Sequence, residues 1–222
     1  MGLRGWPVVG LAVAAVALSV VTVTSGLAPT AAADGCPDVQ LIFARGTAEP
    51  PGMGRVGDAF FAALQPALGS HRVDAYGVNY PASYNFLTTA DGANDARDHI
   101  AAMADQCPAT RLVLGGFSQG AAAVSMLAGV PPVGQRIGNF GSAPALDPGL
   151  AGKIRAVAVF GNPGNRFNTP LSSTGAFAGR AIDLCSPGDP VCVVGGRDRD
   201  AHSDYESSPY PGQAAGFIAG LI

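Results

Sequence analysis

Short apolar runs without polar alternation recur along the chain and are separated by stretches with helical spacing. Such runs are typical of parallel strands buried on both faces. They predict strands at 39–44, 73–80, 112–114, 154–160 and 181–184. Apolar residues three and four positions apart predict helices at 56–68, 93–106, 121–127 and 211–222. The Gly- and Pro-rich passage 131–152 is predicted to be loop with little regular structure.

This alternation of strands and helices predicts an α/β fold. Right-handed crossovers between parallel strands place helices on both faces of the sheet, which gives a three-layer α/β/α sandwich. In such sheets the binding site lies beyond the carboxyl ends of the strands. Functional residues are therefore sought in the turns that follow the strands.

Residues 1–33 have the features of a secretory signal peptide. Arg4 supplies a positive charge, 8–23 is apolar, and 31–33 is an Ala-Ala-Ala cleavage site. The apolar run is shorter than the roughly 20 residues of a membrane span, and no other stretch is long enough. We expect one exported, soluble domain at 34–222, in the extracellular space or the cell envelope. An uncleaved N-terminal anchor is the alternative.

The charge distribution argues against polyanionic partners. The chain has 13 basic and 16 acidic residues, a formal net charge of −3, and no cluster of basic residues. We expect binding neither to nucleic acid nor to an anionic membrane surface. The length of 34–222 fits a single domain, and a monomer is expected.

Four cysteines in an exported chain indicate disulfides. The sequence has no C-x-x-C pair and no histidine at metal-ligand spacing from a cysteine, so no metal site is expected. Of the three possible pairings we favour Cys185–Cys192, because these residues are close in sequence and flank a Pro-Gly-Asp-Pro turn. The second disulfide is then Cys36–Cys107.

The sequence Gly116-Phe117-Ser118-Gln119-Gly120 follows a predicted buried strand and precedes a predicted helix. This is the G-x-S-x-G pattern, in which a sharp turn exposes a nucleophilic serine and the glycines avoid clashes of a Cβ. Ser118 is the predicted nucleophile. The backbone N–H of Gln119, at the start of the helix, would point toward an oxyanion formed on the substrate.

A serine nucleophile needs an imidazole to accept its proton. His71 precedes the second strand at the wrong edge of the sheet, and His99 lies within a helix beside charged residues, where a solvated surface position is expected. His202 follows the last strand in a polar loop that can return over Ser118. His202 is therefore the predicted general base.

The order serine, acid, histidine puts the carboxylate between these two residues in the chain. Asp189 follows the fifth strand inside the loop that the predicted Cys185–Cys192 bridge would make rigid, which suits a group that must hold an imidazole. The other candidates are Asp147, expected to cap a short helix, Asp183 within a strand, and Asp198 and Asp200 in a charged run. Asp189 is the predicted acid.

Four motifs together resemble the cutinase family, in particular its exported bacterial members. They are Gly115-Gly116-Phe117-Ser118-Gln119-Gly120, the Cys185-x-x-x-Asp189-x-x-Cys192 block, Ala201-His202 and Ala44-Arg45-Gly46-Thr47. The likeness spans nearly all of 34–222 in the same order and spacing. It implies a compact, lid-free α/β-hydrolase with a central five-stranded parallel sheet, and the same disulfide pairing.

The resemblance also implies an activity and further site residues. Carboxylic esters would be cleaved through an acyl-enzyme without metal or organic cofactor, with Ser118, His202 and Asp189 in the roles given above. The N–H and hydroxyl of Thr47 would join the N–H of Gln119 in the oxyanion hole. Thr47 ends the first strand at the edge that carries Ser118, as a second donor requires. In fungal members an Asn supports this donor, and Asn85 lies at the corresponding place.

The predicted function is that of a secreted serine esterase acting on cutin-like polyester, lipid or short-to-medium-chain esters. The same chemistry would serve a lipase, phospholipase, thioesterase or acyltransferase, because loops choose the leaving group. An exported binding protein on a hydrolase scaffold is the alternative outside enzymes. The presence of three triad residues and two oxyanion donors argues against it.

Overall fold

A five-stranded parallel sheet forms the centre of the domain that contains the predicted site. The computed structural model describes residues 1–3, 5, 35–135 and 140–222, so the predicted signal peptide lies almost entirely outside the described residues. The strands are β1 (Val39–Ala44), β2 (Val73–Gly77), β3 (Arg111–Phe117), β4 (Pro132–Gln135), β5 (Ile154–Phe160) and β6 (Ala181–Leu184). The helices are α1 (Gly54–Ala67), α2 (Thr89–Gln106), α3 (Gln119–Leu127), α4 (Pro148–Ala151), α5 (Arg199–Ser203) and α6 (Tyr210–Ala219).

The strand order is β2-β1-β3-β5-β6, and every neighbouring pair is parallel. The predicted α/β fold with a five-stranded parallel sheet is confirmed. The chain moves from β1 outward to β2 and then returns to β3 on the other side of β1. The carboxyl ends of β1 and β3 therefore form the switch point at which ligands bind in such sheets.

The buried strands contribute side chains to both faces of the sheet. In β1, Ile42 and Ala44 pack in the core under α2 and α3, whereas Leu41 and Phe43 pack in the core under α1 and α6. All four side chains are at most 1% exposed. Burial on both faces explains why the strand has no polar alternation in its sequence.

Strand β2 ends three residues earlier than predicted. The prediction ran to Tyr80, but beyond Gly77 the guanidinium of Arg45 donates to the carbonyl oxygens of Val78 (3.1 Å) and Tyr80 (2.5 Å). These carbonyls are thus satisfied by a side chain instead of a neighbouring strand. The apolar pattern continues past the end of the strand because Val78 and Tyr80 remain buried.

The helices differ from the predictions mainly at their ends. Helix α2 begins at Thr89, four residues before the predicted start, because the buried Thr89 and Gly92 give no apolar signal. The passage predicted to be loop contains β4 and α4. Asp147 caps α4 as predicted, since its Oδ1 accepts from the N–H groups of Gly149 (2.9 Å) and Leu150 (3.0 Å).

Both predicted disulfides are present in the structure. Cys36–Cys107 joins the segment before β1 to the end of α2, and Cys185–Cys192 closes the loop after β6. Disulfides are typical of proteins that leave the reducing cytosol, so they are consistent with export. Among the described residues, no helix combines the length and apolar character that a membrane crossing requires.

Candidate active site

Ser118 lies in a strained turn between β3 and α3. Its φ of 54° and ψ of −111° fall outside the ordinary regions for a residue with a side chain. The flanking glycines permit this turn: a Cβ on Gly116 would lie 2.5 Å from the carbonyl oxygen of Gly120, and one on Gly120 would overlap that of Ala44. The tight turn lifts Ser118 above the carboxyl edge of the sheet.

Ser118, His202 and Asp189 are hydrogen-bonded in series. Ser118 Oγ lies 2.9 Å from His202 Nε2, and His202 Nδ1 lies 2.8 Å from Asp189 Oδ2. An ionised carboxylate only accepts, so Nδ1 carries the proton of a neutral imidazole and Nε2 is left to accept from the serine hydroxyl. The three residues are far apart in the chain, and the fold brings their side chains together.

His202 lies on a short helix and not in the loop that was predicted. Asp198 begins α5 as its N-cap, because its Oδ1 accepts from the N–H groups of Asp200 (3.0 Å) and Ala201 (3.2 Å). The helix presents the imidazole, 20% exposed, with its ring 5.0 Å from that of Phe117. Asp198 is thereby occupied as a helix cap, and it does not contact His202.

Asp189 is fully buried, in contrast to the solvent-facing position of an ordinary turn aspartate. Oδ1 accepts from the N–H of Val191 (2.6 Å), and Oδ2 accepts from the hydroxyl of Tyr205 (2.7 Å) as well as from His202. Burial by itself would raise the pKa of Asp189, but hydrogen bonds from His202, Tyr205 and Val191 outweigh burial and lower it. The ionised side chain therefore stabilises the fold above the ordinary carboxyl pKa, and this contribution is lost as pH falls through the lowered value.

The Cys185–Cys192 disulfide lies directly against Asp189. Sγ of Cys192 is 3.2 Å from Asp189 Oδ2, and the N–H of Val193 donates to the carbonyl of Asp189 (3.0 Å). The sequence suggested that this bridge would make the loop rigid. In the structure the bridge is also a wall of the pocket that holds the carboxylate.

Thr47 and Gln119 meet through their side chains at the carboxyl ends of β1 and β3. The hydroxyl of Thr47 donates to Oε1 of Gln119 (3.0 Å), and Nε2 of Gln119 donates to the hydroxyl of Thr89 (3.0 Å). Gln119 is 2% exposed, so both ends of its amide need these partners. The Thr47 hydroxyl is thus oriented by Gln119, whereas Asn85, the residue that the family resemblance suggested, is exposed.

Arg45 shapes the segment that carries Thr47. Its buried guanidinium bonds no carboxylate but donates to three carbonyl oxygens, the third belonging to Glu49 (2.9 Å). Glu49 Oε2 in turn accepts from the N–H of Gly46 (2.6 Å). Sequence analysis gave these residues no role of their own, because their partners are backbone groups that leave no pattern in the sequence.

His71, His99 and Asp183 are bonded to partners other than Ser118. His71 Nδ1 is 2.7 Å from the carbonyl of Leu68. The expectation of a solvated His99 was wrong: its ring is half-buried, stacks on Tyr76 at 3.6 Å and bonds Gln40 (2.9 Å), and burial lowers its pKa. Asp183 accepts from Asn162 and from the backbone N–H groups of 171 and 172.

Comparison with known proteins identifies the family. The Cutinase family model matches residues 35–222. Phospholipase Culp4 of Mycobacterium tuberculosis (strain ATCC 25618 / H37Rv) is 47% identical over 216 residues, which cover 96% of this chain and 90% of Culp4. Probable carboxylesterase Culp3 of the same organism is 49% identical over 192 residues, covering 86% of this chain and 71% of Culp3.

Solved structures agree with these matches. One, Trichoderma reesei cutinase in complex with a C11Y4 phosphonate inhibitor, is 34% identical with a TM-score of 0.66, covering 84% of this chain and 77% of that chain. An iodinated complex of acetyl xylan esterase, 24% identical, shares the fold with a TM-score of 0.70 and coverage of 84% and 99%. The protein is thus an α/β-hydrolase that cleaves carboxylic esters. Within this class, the chain belongs to the cutinase family.

The contact between the disulfide and Asp189 predicts a local effect of breaking that bridge. Replacing Cys185 and Cys192 by serine should lower kcat by at least about tenfold while the domain remains folded, because the acid loses its rigid wall. Esterase assays and circular dichroism on the same samples would measure both properties. The matched control is the double serine variant of Cys36 and Cys107, which should lower the melting temperature with little change in kcat. Simultaneous loss of activity and fold in the first variant would contradict a local role.

Proposed function

We propose that the ester hydrolase activity resides in Ser118, His202 and Asp189, acting as nucleophile, general base and orienting acid. The observation that carries this proposal is the unbroken hydrogen-bond series from Ser118 Oγ through the imidazole to the buried carboxylate. The strained turn at Ser118 and the pairing of Thr47 with Gln119 at the same sheet edge support it. A binding protein would have no use for this combination.

The reaction is a two-step acyl transfer. Ser118 Oγ attacks the ester carbonyl while its proton passes to His202 Nε2, and a tetrahedral oxyanion forms. The ester C–O bond then breaks, and the departing alcohol takes the proton from His202. Water attacks the acyl-enzyme by the same route in reverse, which releases the carboxylic acid and restores the Ser118 hydroxyl.

The oxyanion is held by donors at the ends of β1 and β3. The backbone N–H groups of Gln119 and Thr47 supply two donors, and the hydroxyl of Thr47 supplies a third. That hydroxyl donates to Gln119 Oε1 in the resting enzyme, so it must turn toward the oxyanion as charge develops. The Gln119 amide fixes the starting position of the hydroxyl.

The substrate is an ester with an apolar acyl chain, bound without metal or cofactor. Exposed apolar side chains cluster in two segments next to the site: Tyr84, Phe86 and Leu87 before α2, and Val194 between Asp189 and α5. The first segment adjoins Thr47, because the N–H of Ala48 donates to the carbonyl of Ala82 (2.6 Å). Exposed apolar groups of this kind fit a lipid chain or an apolar polyester.

Phospholipid cleavage is the second candidate. It is favoured by the extensive match to a protein named phospholipase Culp4 and by the exposed apolar rim. The acyl chemistry is identical, and only the alcohol that leaves differs. Thioester cleavage and acyl transfer would use the same residues. They have less support than ester or phospholipid hydrolysis, because no feature of the site selects for them.

Residues 1–33 are proposed to be a signal peptide, with 34–222 as the exported catalytic domain. The n-region, apolar run and small-residue site support this division, and both disulfides agree with an oxidising destination. The enzyme would then act as a monomer outside the cell or in its envelope, where insoluble esters are accessible.

Ser118→Ala should lower kcat by on the order of 10⁶, because the covalent intermediate can no longer form. Wild-type protein treated with a fluorophosphonate should carry a single adduct on Ser118, located by mass spectrometry after digestion, and Ser118→Ala should carry none. Ser125, buried in α3, is the control position and should remain unlabelled. Activity of Ser118→Ala within tenfold of wild type would refute the assignment.

Thr47→Val should lower kcat by on the order of 10², with a smaller change in KM, because its hydroxyl acts on the developing oxyanion. Thr47→Ser keeps the hydroxyl and should retain most of the activity. Steady-state kinetics with one soluble ester would compare the two. An unchanged kcat in Thr47→Val would show that the backbone donors suffice.

A chain-length series of p-nitrophenyl esters tests the apolar rim. We expect kcat/KM to rise from acetyl to medium-length acyl chains, and Leu87→Ser to reduce this rise while activity on the acetyl ester is unchanged. Phospholipid and acyl-CoA assayed beside the series would rank the alternatives. A flat series in the wild type would oppose a rim that binds acyl chains.

A further inference from the structure

Tyr205 lies behind the acid in an aromatic cluster and is 1% exposed. Its ring centroid is 5.5 Å from that of Phe117, 5.5 Å from that of Tyr210 and 6.3 Å from that of Phe160. Such packing holds the ring at one angle, so the position of its hydroxyl is well defined. A polar hydroxyl at this depth requires hydrogen-bond partners.

The hydroxyl has two close hydrogen-bond partners and a longer contact with Sγ of Cys192 (3.5 Å), and the chemistry of the two close partners determines its direction. The N–H of Ser186 donates to it (2.8 Å), so the oxygen accepts there. Its own proton is therefore directed to Asp189 Oδ2 (2.7 Å), since a carboxylate can only accept. Burial raises the pKa of Tyr205, so the phenol stays protonated and remains a donor throughout the working range of the enzyme.

We propose that Tyr205 is a positioning residue that fixes Asp189 and sets the strength of its hydrogen bond to His202. The argument rests on the proposed roles of Ser118, His202 and Asp189. One carboxylate oxygen, Oδ2, accepts from both Nδ1 of His202 and the hydroxyl of Tyr205. The two donors share the negative charge of that oxygen, so each donor weakens the hydrogen bond that Oδ2 makes with the other donor.

Loss of the Tyr205 hydroxyl has two consequences that kinetic measurements can tell apart. The carboxylate loses one of the three donors that hold its plane, so the imidazole is less well oriented and kcat falls. The charge on Oδ2 is also left to His202 alone, which favours the imidazolium form. Because the unprotonated imidazole is the active base, the acid limb of the kcat/KM profile must move to higher pH. A purely structural tyrosine would not move that limb.

Tyr205→Phe leaves every charged side chain around this pair chemically unchanged. From α1, Arg55 pairs with Glu206 and donates to the carbonyl of Ser203, next to His202. Other ionisable side chains nearby are Tyr210 behind Tyr205, Asp198, Arg199, Asp200 and Asp204 on or beside α5, and Arg166, which donates to the carbonyl of Pro190 next to Asp189 (2.7 Å). The shift in the pH profile can therefore be assigned to the lost hydrogen bond.

The experiment compares Tyr205→Phe with Tyr210→Phe as matched control, since the Tyr210 hydroxyl donates to the carbonyl of Cys185 (3.4 Å) and not to Asp189. We expect Tyr205→Phe to lower plateau kcat about tenfold and to move the acid limb up by about half a pH unit. Tyr210→Phe should change neither. Unchanged kinetics in Tyr205→Phe, or a loss of kcat without a shift of the acid limb, would overturn the proposal.

Tyr205→3-fluorotyrosine gives an independent test that keeps the ring and hydroxyl, and it decides the question if Tyr205→Phe does not fold. The more acidic phenol donates more strongly to Asp189, so the acid limb should move to lower pH, opposite to the phenylalanine variant. No movement would overturn the proposal. Ser118→Ala is assayed in parallel: if it is inactive while the Tyr205 variants behave as wild type, only the role of Tyr205 fails. If it is active, the proposed function fails and the role of Tyr205 with it.

Discussion

The close approach of α3 to the end of β1 is the constraint on which the rest of the site depends. Gly120, in the first turn of α3, lies against the carbonyl of Ala44, where no Cβ fits. This contact forces the chain at Ser118 into its strained turn, with φ of 54°. The strain persists because β1 and β3 are locked in parallel register, with Ala44 paired to Gly116. The sheet and helix thus determine the position of Ser118, the proposed nucleophile, before any other site residue is considered.

The other site residues approach Ser118 from two sides, and each side is held differently. On the β1 side, Arg45 binds backbone carbonyls and the Gln119 amide links Thr47 to Thr89, so hydrogen bonds hold the proposed oxyanion donors. On the β6 side, a short disulfide and an aromatic cluster enclose Asp189. Hydrogen bonds to a buried backbone require little chain length, whereas a long loop after the last strand needs a covalent bridge to become rigid.

The sequence predicted those parts of the molecule whose signal is local. Strands β1, β5 and β6 have the predicted bounds, because runs buried on both faces can be seen directly in the sequence. The turn at Ser118 was predictable because its glycines are adjacent to it. The end of β2 and the start of α2 were not predictable. The side chain of Arg45, which follows β1, replaces strand pairing at the end of β2, and small buried residues form the start of α2.

The hydrogen bonds that hold the site residues in place could not be predicted from the sequence, for a related reason. Tyr205 reaches Asp189 across 16 residues, and Thr47 reaches Gln119 across 72. Neither pair has a periodic spacing that would identify it, and a tyrosine or threonine at such places has many ordinary roles. What selects these partners is burial: a carboxylate with no exposed surface and an amide with almost none require donors and acceptors wherever the fold supplies them. Once Asp189 is known to be fully buried, its two carboxylate oxygens need hydrogen-bond donors, and Tyr205 supplies one of those on Oδ2.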